Sequence, residues 1–418
     1  MPSAIDQVLG SRFGRLLERV GFAPRGGRAA HAAQSRLLAL VETLLSVRGK
    51  ASGASLASAF FALYEASSIE ERRAFLSELR ARFPRDGAAI DAAIVAWQAS
   101  PDEVTARRLH QAAESRCQKL IRLLNLAPGG TRRLIHMRAD LLSGGVLNRA
   151  EAALDADFEH VFASWFNAGF LELRRIDWDT SAAVLERVIA YEAVHSIDSW
   201  DDLRARVEPP DRRCYAFFHP QMPDDPLIFV EVALTGQLPS AIGSIIDEGR
   251  ALLDPRKASH AIFYSISNCQ QGLKGVPFGN YLIKQVAELL CSELPQLSTF
   301  ATLSPVPGFA RWLAGEGGAD GQDLPAQAAR YLVKGRGAKG GPLDSVARFH
   351  LGNGARLEAV NADADPSPKG IRQSHGIMVN YVYDLGRIEE NLLSMSELDT
   401  IVCSKAVAGL VREAKAPR

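Results

Sequence analysis

The chain has 418 residues, 47% of them apolar and 23% charged, with 48 Lys plus Arg against 48 Asp plus Glu. That length predicts two or three domains, and the composition excludes a disordered tail protein, a collagen-like fibre and a disulfide-stapled miniprotein. The even charge balance carries no global footprint for nucleic acid, so no nucleic-acid partner is expected.

Residues 1–168 read as a helical bundle. SRLLALVETLLSVRG places Leu37, Leu40, Val41, Leu44 and Leu45 at helical spacing. Five further Ala-, Leu-, Arg- and Glu-rich stretches of helix length follow, punctuated by Pro84, Pro101 and Pro128. Ser68 with Glu71 has capping-box spacing. The texture changes near Gly169. FLELRRIDW alternates and is the first credible strand; SAAVLERVIAYEAVH and SWDDLRARV read as helices. CYAFFHP, LIFVEVAL, HAIFYSISNC and TFATLS read as strands, with helices over GNYLIKQVAELLCSEL and GFARWLAG. SVARFHLGNGARLEAVNA reads as strand–loop–strand, and HGIMVNYVYDL closes the set as a strand. Residues 169–418 are therefore expected to form an α+β domain around one mixed sheet.

Five cysteines, none closer than the 22 residues between Cys269 and Cys291, offer no zinc-ligand pair and suit reduced thiols. No apolar run approaches membrane-spanning length, and neither end reads as a signal, so no membrane partner and a cytoplasmic location are expected.

Three segments carry candidate chemistry. In FYSISNCQQGLKGVPFGNYLIKQVAELL a strand runs into a glycine-rich turn and then into an amphipathic helix, with Leu282, Ile283, Val286, Leu289 and Leu290 on its expected core face. Unpaired backbone N–H groups and the positive end of a helix dipole make such a turn an anion site, although the spacing is neither a Walker loop nor a dinucleotide fingerprint. An ordinary βα turn has the same pattern. In ATLSPVPGFARWLAG, Ser304 stands at a strand end where α/β sheets present ligands; a plain Ser-Pro turn reads identically. In ARFHLGNGA, His350 sits in a strand-like run before a Gly352-Asn353-Gly354 turn, either facing a cleft or simply half-buried. Two decoys accompany these. Residues 335–340 spell G-x-G-x-x-G without a βαβ setting and read as a cationic surface loop. Glu192 and His195 have the spacing of half a metal motif, without a partner pair; a helix-surface hydrogen bond is the simpler expectation, and no metal is expected.

Taken together and in order, FYSISNCQQGLKGVPFGNYLIK, TLSPVPGFARWL and VARFHLGNGA resemble the malonyl-CoA decarboxylase family, and RRCYAFFHP, DPLIFVEVALTGQLPSAIGSI and HGIMVNYVYDL fit the same family. The resemblance is dense from about Trp178 to Asp384. It implies an oligomerisation domain over 1–168, and over 169–418 a catalytic acyl-CoA-binding domain with a GNAT-type acetyltransferase-like fold. It implies a homo-oligomer, dimer or tetramer. It places the catalytic pair on Ser304 and His350. It places the malonyl-CoA contacts on those two and on Lys274, Gly275, Val276, Pro277, Phe278, Gly279 and Asn280. Relatives carry a glutamate where this chain has Pro277, so the reaction here would proceed without that carboxylate.

The implied reaction turns malonyl-CoA into acetyl-CoA and CO₂ through a thioester enolate. The thioester is the electron sink, so no cofactor is expected beyond the coenzyme A that is part of the substrate. N–H donors in a water-poor site can hold the developing oxyanion, and a histidine can deliver the proton. In this reading His350 donates and Ser304 positions or accepts; the sequence alone also admits the reverse assignment. A CoA-dependent acyltransferase on the same scaffold, and a non-catalytic acyl-CoA sensor, are the competing readings. A serine hydrolase is disfavoured because G-x-S-x-G is absent.

Overall fold

The computed structural model describes residues 29–247, 249–276, 281–316, 323–337 and 340–414. Two compact units emerge. One takes the chain through Gly130 together with Asp140–Asp157; the other takes Thr131–Ala139 and everything from Phe158 onward.

Among the described residues, the chain before Glu172 holds eight α-helices and no strand. They are α1 (Ala29–Leu45), α2 (Val47–Ala66), α3 (Ile69–Arg82), α4 (Gly87–Ala99), α5 (Glu103–Ala113), α6 (Arg116–Leu124), α7 (Gly130–Leu142) and α8 (Arg149–Trp165). The capping box forms as the spacing predicts. Ser68 Oγ accepts the Glu71 N–H at 3.3 Å, and the Glu71 carboxylate accepts the Ser68 N–H at 2.8 Å. Leu37, Val41, Leu44, Phe60, Phe75, Leu79 and Ile121 are buried, as helical spacing requires of a bundle core. A buried carboxylate, Asp157, is satisfied by the Ser115 hydroxyl at 2.6 Å and the Gln118 amide at 2.9 Å. Helix α4 breaks the pattern: Ala93 is buried, while Ile94, Val95 and Trp97 lie on the surface.

The second unit is built on one eight-stranded mixed sheet. Its strands are β1 (Glu172–Ile176), β2 (Arg212–Phe218), β3 (Ile228–Thr235), β4 (His260–Asn268), β5 (Thr299–Thr302), β6 (Ser304–Pro305), β7 (Arg356–Asn361) and β8 (Met378–Tyr383). The order is β1-β2-β3-β4-β5-β8-β6, with β7 also paired to β8. Every pairing is antiparallel except β4–β5. A parallel pair needs a crossover, and helix α12 (Tyr281–Glu293) lies within it. Helices α9 (Ala182–Tyr191) and α10 (Trp200–Val207) contribute Val184, Leu185, Val188, Leu203 and Val207 to a core with Cys214, Phe218 and Phe229. A short helix, α11 (Gly243–Ile246), adds Ile245 to a second core with Ile262, Tyr264, Ala301 and Met378.

Two irregularities open the sheet. The β3–β4 register slips between Glu231 and Val232, which pair with Ser265 and Phe263, so Tyr264 is the extra residue of a β-bulge. Strands β4 and β5 pair only as far as Phe263 and Thr302, although β4 continues to Asn268. Beyond that point the chain leaves β4 but stays beside β8, where Ser304 pairs with Val379 in the register already set by Phe300 and Tyr383. The sheet therefore splays at the carboxyl ends of its one parallel pair, which is where α/β sheets form ligand crevices.

Two helices depart from the sequence reading. Residues Ser345–Leu351 form a helix, α15, rather than a strand. Asp344 caps it, accepting the N–H groups of Val346 at 2.9 Å and Ala347 at 3.0 Å, and Gly352 ends it. The buried set Ala347, His350 and Leu351 follows helical spacing, which the apparent alternation of Val346, Arg348 and His350 obscured. On α12, Leu282, Ile283, Val286 and Leu290 are buried, but Leu289 is 46% exposed and Ala287 takes its place in the core.

Candidate active site

Where the chain past β5 leaves β4, a cavity of about 240 Å³ opens between β4 and β6. Phe263, Tyr264, Ile266 and Asn268 of β4 line one wall, Ser304 and Pro305 a second, and Ser345, Val346, Phe349 and His350 of α15 a third. The spacing of 345, 346, 349 and 350 is one helical face, so recognising α15 as a helix explains how His350 reaches the cavity. Most of the wall is apolar; its polar members are Asn268, Ser304, Ser345 and His350.

The structure brings Ser304 and His350 together. Ser304 Oγ is 3.1 Å from His350 Nε2, and both residues are buried. Ser304 Oγ is also 2.8 Å from Thr302 Oγ1, which accepts the Tyr381 N–H at 3.3 Å. The second ring nitrogen, His350 Nδ1, is 2.8 Å from the Tyr383 hydroxyl. Tyr381 stacks on the imidazole with centroids 4.7 Å apart. Thr302, Ser304, His350 and Tyr383 thus form one hydrogen-bonded line. Ser304 donates its one hydroxyl proton to Thr302, so it accepts from His350 Nε2–H, and Nδ1 of the neutral ring accepts the Tyr383 hydroxyl. Burial pushes the His350 imidazole down to about 3 and the Tyr383 phenol well above its ordinary value, so the line is uncharged at neutral pH.

Asp344 ties the two catalytic candidates to one frame. One carboxylate oxygen caps α15; the other accepts the Gly308 N–H at 3.2 Å and the Tyr331 hydroxyl at 3.4 Å. Gly308 opens helix α13 (Phe309–Gly315), four residues past Ser304, and a Cβ there would sit 2.2 Å from the Tyr331 hydroxyl oxygen. Tyr331 belongs to α14 (Leu324–Lys334). One buried carboxylate therefore sets the separation of the Ser304 segment and the His350 helix.

Of the expected acyl-CoA loop, Lys274, Gly275 and Val276 are described, and Pro277, Phe278, Gly279 and Asn280 lie outside the described residues. Lys274 and Gly275 are exposed, whereas the Val276 side chain is buried, leaving only its backbone for a ligand. The loop follows a 3₁₀ turn, Gln271–Leu273, and Gly275 has φ +82°, a conformation natural to glycine.

The decoys resolve simply. Gly335 ends α14, so the 335–340 segment follows a helix rather than a strand, and Arg336 pairs with Asp399 at 3.0 Å; Ala338 and Lys339 lie outside the described residues. Glu192 and His195 lie past the end of α9 rather than on it. The Glu192 carboxylate accepts the N–H groups of Val194 and His195, each at 2.8 Å, and the Ser265 and Ser267 hydroxyls. That pins Val194 where it lines the cavity. Among the described residues no group of three His, Cys, Asp or Glu side chains has metal-holding geometry.

Sequence reasoning missed Thr302, Asp344, Tyr381 and Tyr383. The alternation in HGIMVNYVYDL does put both tyrosines on one face of β8, so that signal was present.

Comparison with known proteins follows the same lines. The family model described as the malonyl-CoA decarboxylase C-terminal domain matches residues 169–323 and 319–418, and that of the N-terminal domain matches 83–166. A crystal structure of malonyl-CoA decarboxylase from Rhodopseudomonas palustris superposes with a TM-score of 0.84 at 48% identity, covering 90% of this chain and 99% of that one. The structure from Agrobacterium vitis gives 0.84 at 46% identity, with the same coverage. The mitochondrial malonyl-CoA decarboxylase of Anser anser anser is 34% identical over 352 residues, 71% of this chain and 70% of the relative. On these matches the chain belongs to the malonyl-CoA decarboxylase family.

Proposed function

We propose that this chain is a carboxy-lyase that converts malonyl-CoA to acetyl-CoA and CO₂, with Ser304 and His350 as its catalytic pair. The observation that carries the proposal is the 3.1 Å contact of Ser304 Oγ with His350 Nε2 on the wall of a mostly apolar cavity where the sheet splays. The splay between β4 and β5 and the bulge at Tyr264 support the acetyltransferase-like reading. There the acyl thioester enters the gap and backbone N–H groups near the bulge face its carbonyl oxygen.

In the reaction the bond from C2 to the carboxylate breaks. Its electron pair moves into the thioester as an enolate, CO₂ leaves, and one proton is added to C2. The free His350 ring is neutral, so the imidazolium that donates forms only after the substrate binds, with its extra proton taken from solvent. The malonyl carboxylate is itself an anion entering a poorly hydrated cavity, and an anion beside the ring favours its protonated form. The substrate thus brings about the ionisation that its own decarboxylation uses: His350 takes a proton on binding, and that proton reaches the enolate carbon directly or through Ser304. The thioester is the electron sink, and coenzyme A enters as part of the substrate. Lys274, Gly275 and the Val276 backbone, together with Pro277, Phe278, Gly279 and Asn280, hold the nucleotide end.

The helical segment 1–168 serves self-association in this reading, and the exposed apolar residues of α4 support it, making the partner a second copy of the chain. Among the described residues no helix is long and apolar enough to cross a membrane.

The test is an assay with malonyl-CoA alone, following acetyl-CoA by chromatography. Wild type yields acetyl-CoA without a second substrate, and His350→Ala lowers kcat by ~10²–10⁴-fold, the range of a lost proton-transfer group. Product that forms only when an acyl acceptor is added points to an acyltransferase. Binding of malonyl-CoA without turnover points to a sensor.

A further inference from the structure

The segment that leads into the acyl-CoA loop is held from outside the sheet. Arg138, on α7, is buried, and a buried guanidinium is tolerated only when its donors are engaged. Its Nη1 donates to the Gly272 carbonyl at 3.0 Å and its Nη2 to Glu159 Oε1, on α8, at 2.9 Å. Gly272 lies so close to α7 that a Cβ would fall 1.9 Å from the Ile135 carbonyl oxygen. Ile135 and Arg138 are three residues apart, on one helical face. At the other end of the loop, a Cβ on Gly275 would fall 2.6 Å from that same Glu159 Oε1. One ion pair therefore brackets the turn, with the cation on Gly272 and the carboxylate against Gly275. Lys274 stands exposed between them. Gln270 fixes the entrance, donating to Asp225 at 3.0 Å and to the Pro226 carbonyl at 3.1 Å.

We propose that Arg138 is a positioning residue for acyl-CoA. By holding Gly272 and Glu159 at once, it sets the backbone of residues 272–276 in the conformation that receives the nucleotide end of the substrate. The fork of the guanidinium is what the task needs, because two separate acceptors are held at fixed angles by one rigid group. A lysine has the charge but not the fork. The inference rests on the reading that this loop holds the phosphate-bearing part of coenzyme A. It adds that affinity for that part is set by a residue of the helical region that touches no substrate.

The test compares two thioesters, malonyl-CoA and malonyl-pantetheine, which lacks the nucleotide and its phosphates. Full-length wild type, Arg138→Lys and Arg138→Met are assayed with each. In wild type KM is lower for malonyl-CoA. In both variants KM for malonyl-CoA rises about tenfold or more, the scale of one charge-assisted hydrogen bond, while kcat stays within about threefold. KM for malonyl-pantetheine does not move. Arg138→Lys keeps the charge in place, so the test stands if Arg138→Met fails to fold. Hydrogen exchange adds a readout without turnover: amides of residues 271–276 exchange faster in Arg138→Lys than in wild type. A loss of kcat, or an equal rise in KM for both thioesters, overturns the positioning role. Equal KM for the two thioesters in wild type overturns the loop assignment beneath it.

Discussion

The Tyr383 hydroxyl, donating to His350 Nδ1, holds the neutral ring with its proton on Nε2, toward Ser304. Replacing Tyr383 by Phe leaves Nδ1 buried without that partner and lets the ring choose its tautomer. Tyr383 touches the ring and not the cavity, so kcat is expected to fall about 10- to 100-fold with KM little changed, as for a group supporting a catalytic residue. A change in KM alone would contradict the role. Protonation gives a second check at this residue. With the free ring held down to about 3, kcat/KM, which reports the free enzyme, has no limb near pH 6.5 from His350. An acid limb centred there, and displaced in Tyr383→Phe, would contradict the burial argument. The same shift has a sign in stability. The unfolded ring titrates near 6.5, so between about pH 6.5 and 3 the unfolded chain holds the extra proton, and stability falls as pH is lowered through that window. Ser304 and His350 were legible as residues because each sits beside glycines and prolines in a distinctive block. Thr302 was not, because a hydroxyl in a buried strand has no local signature until its neighbour across the sheet is known; for Tyr383 alternation marks the face of β8 but not the ring it meets.

At the scale of elements, helix α15 does the work of delivery. Its N-cap, Asp344, also holds Gly308 and Tyr331, so capping and site geometry are carried by different oxygens of one carboxylate. Asp344→Asn separates the two. The amide oxygen can still cap α15, while the amide nitrogen meets the Gly308 N–H donor to donor. Loss of a cap costs ~1 kcal/mol, so retention of the cap keeps the melting temperature close to wild type. The Ser304–His350 separation loosens and kcat falls by about tenfold or more, a displacement effect of the kind that 1 Å produces at a reacting centre. Asp344→Ala, which loses both functions, lowers melting temperature and kcat together. Equal kcat in Asp344→Asn and wild type would remove Asp344 from the positioning frame. The strand expected here failed for a physical reason. Seven residues between Asp344 and Gly352 fit either period, and the deciding signal was the capping aspartate directly before the run, not the apolar pattern. The longer strands were legible because alternation or apolar runs extended over five or more residues, as in Ile228–Thr235, whereas the two-residue β6 had no such run. The bulge at Tyr264 was not, since an extra residue in a strand is visible only against its partner.

Among the described residues, α4 is an element whose composition and surroundings disagree. GAAIDAAIVAWQA has one charged residue, Asp91, yet Val95 is 64% and Trp97 43% exposed. A scattered exposed valine needs no explanation, but Ile94, Val95 and Trp97 lie within one turn and Val104 of the neighbouring α5 is 56% exposed. Residues of this kind at a surface gain most by meeting a copy of themselves across a two-fold axis, where the same patch is buried twice. The wild-type chain is therefore expected to run as a dimer or larger assembly in light scattering at micromolar concentration. Val95→Glu combined with Trp97→Glu places two carboxylates per chain in that contact, and the mass falls to that of a smaller species. Because both side chains face outward, the stability of the separated chain changes by only about 0.5 kcal/mol per site. The cavity lies in the other unit, so acetyl-CoA formation persists in the smaller species. An unchanged mass in the double variant, or a monomeric wild type, would remove α4 as the self-association surface.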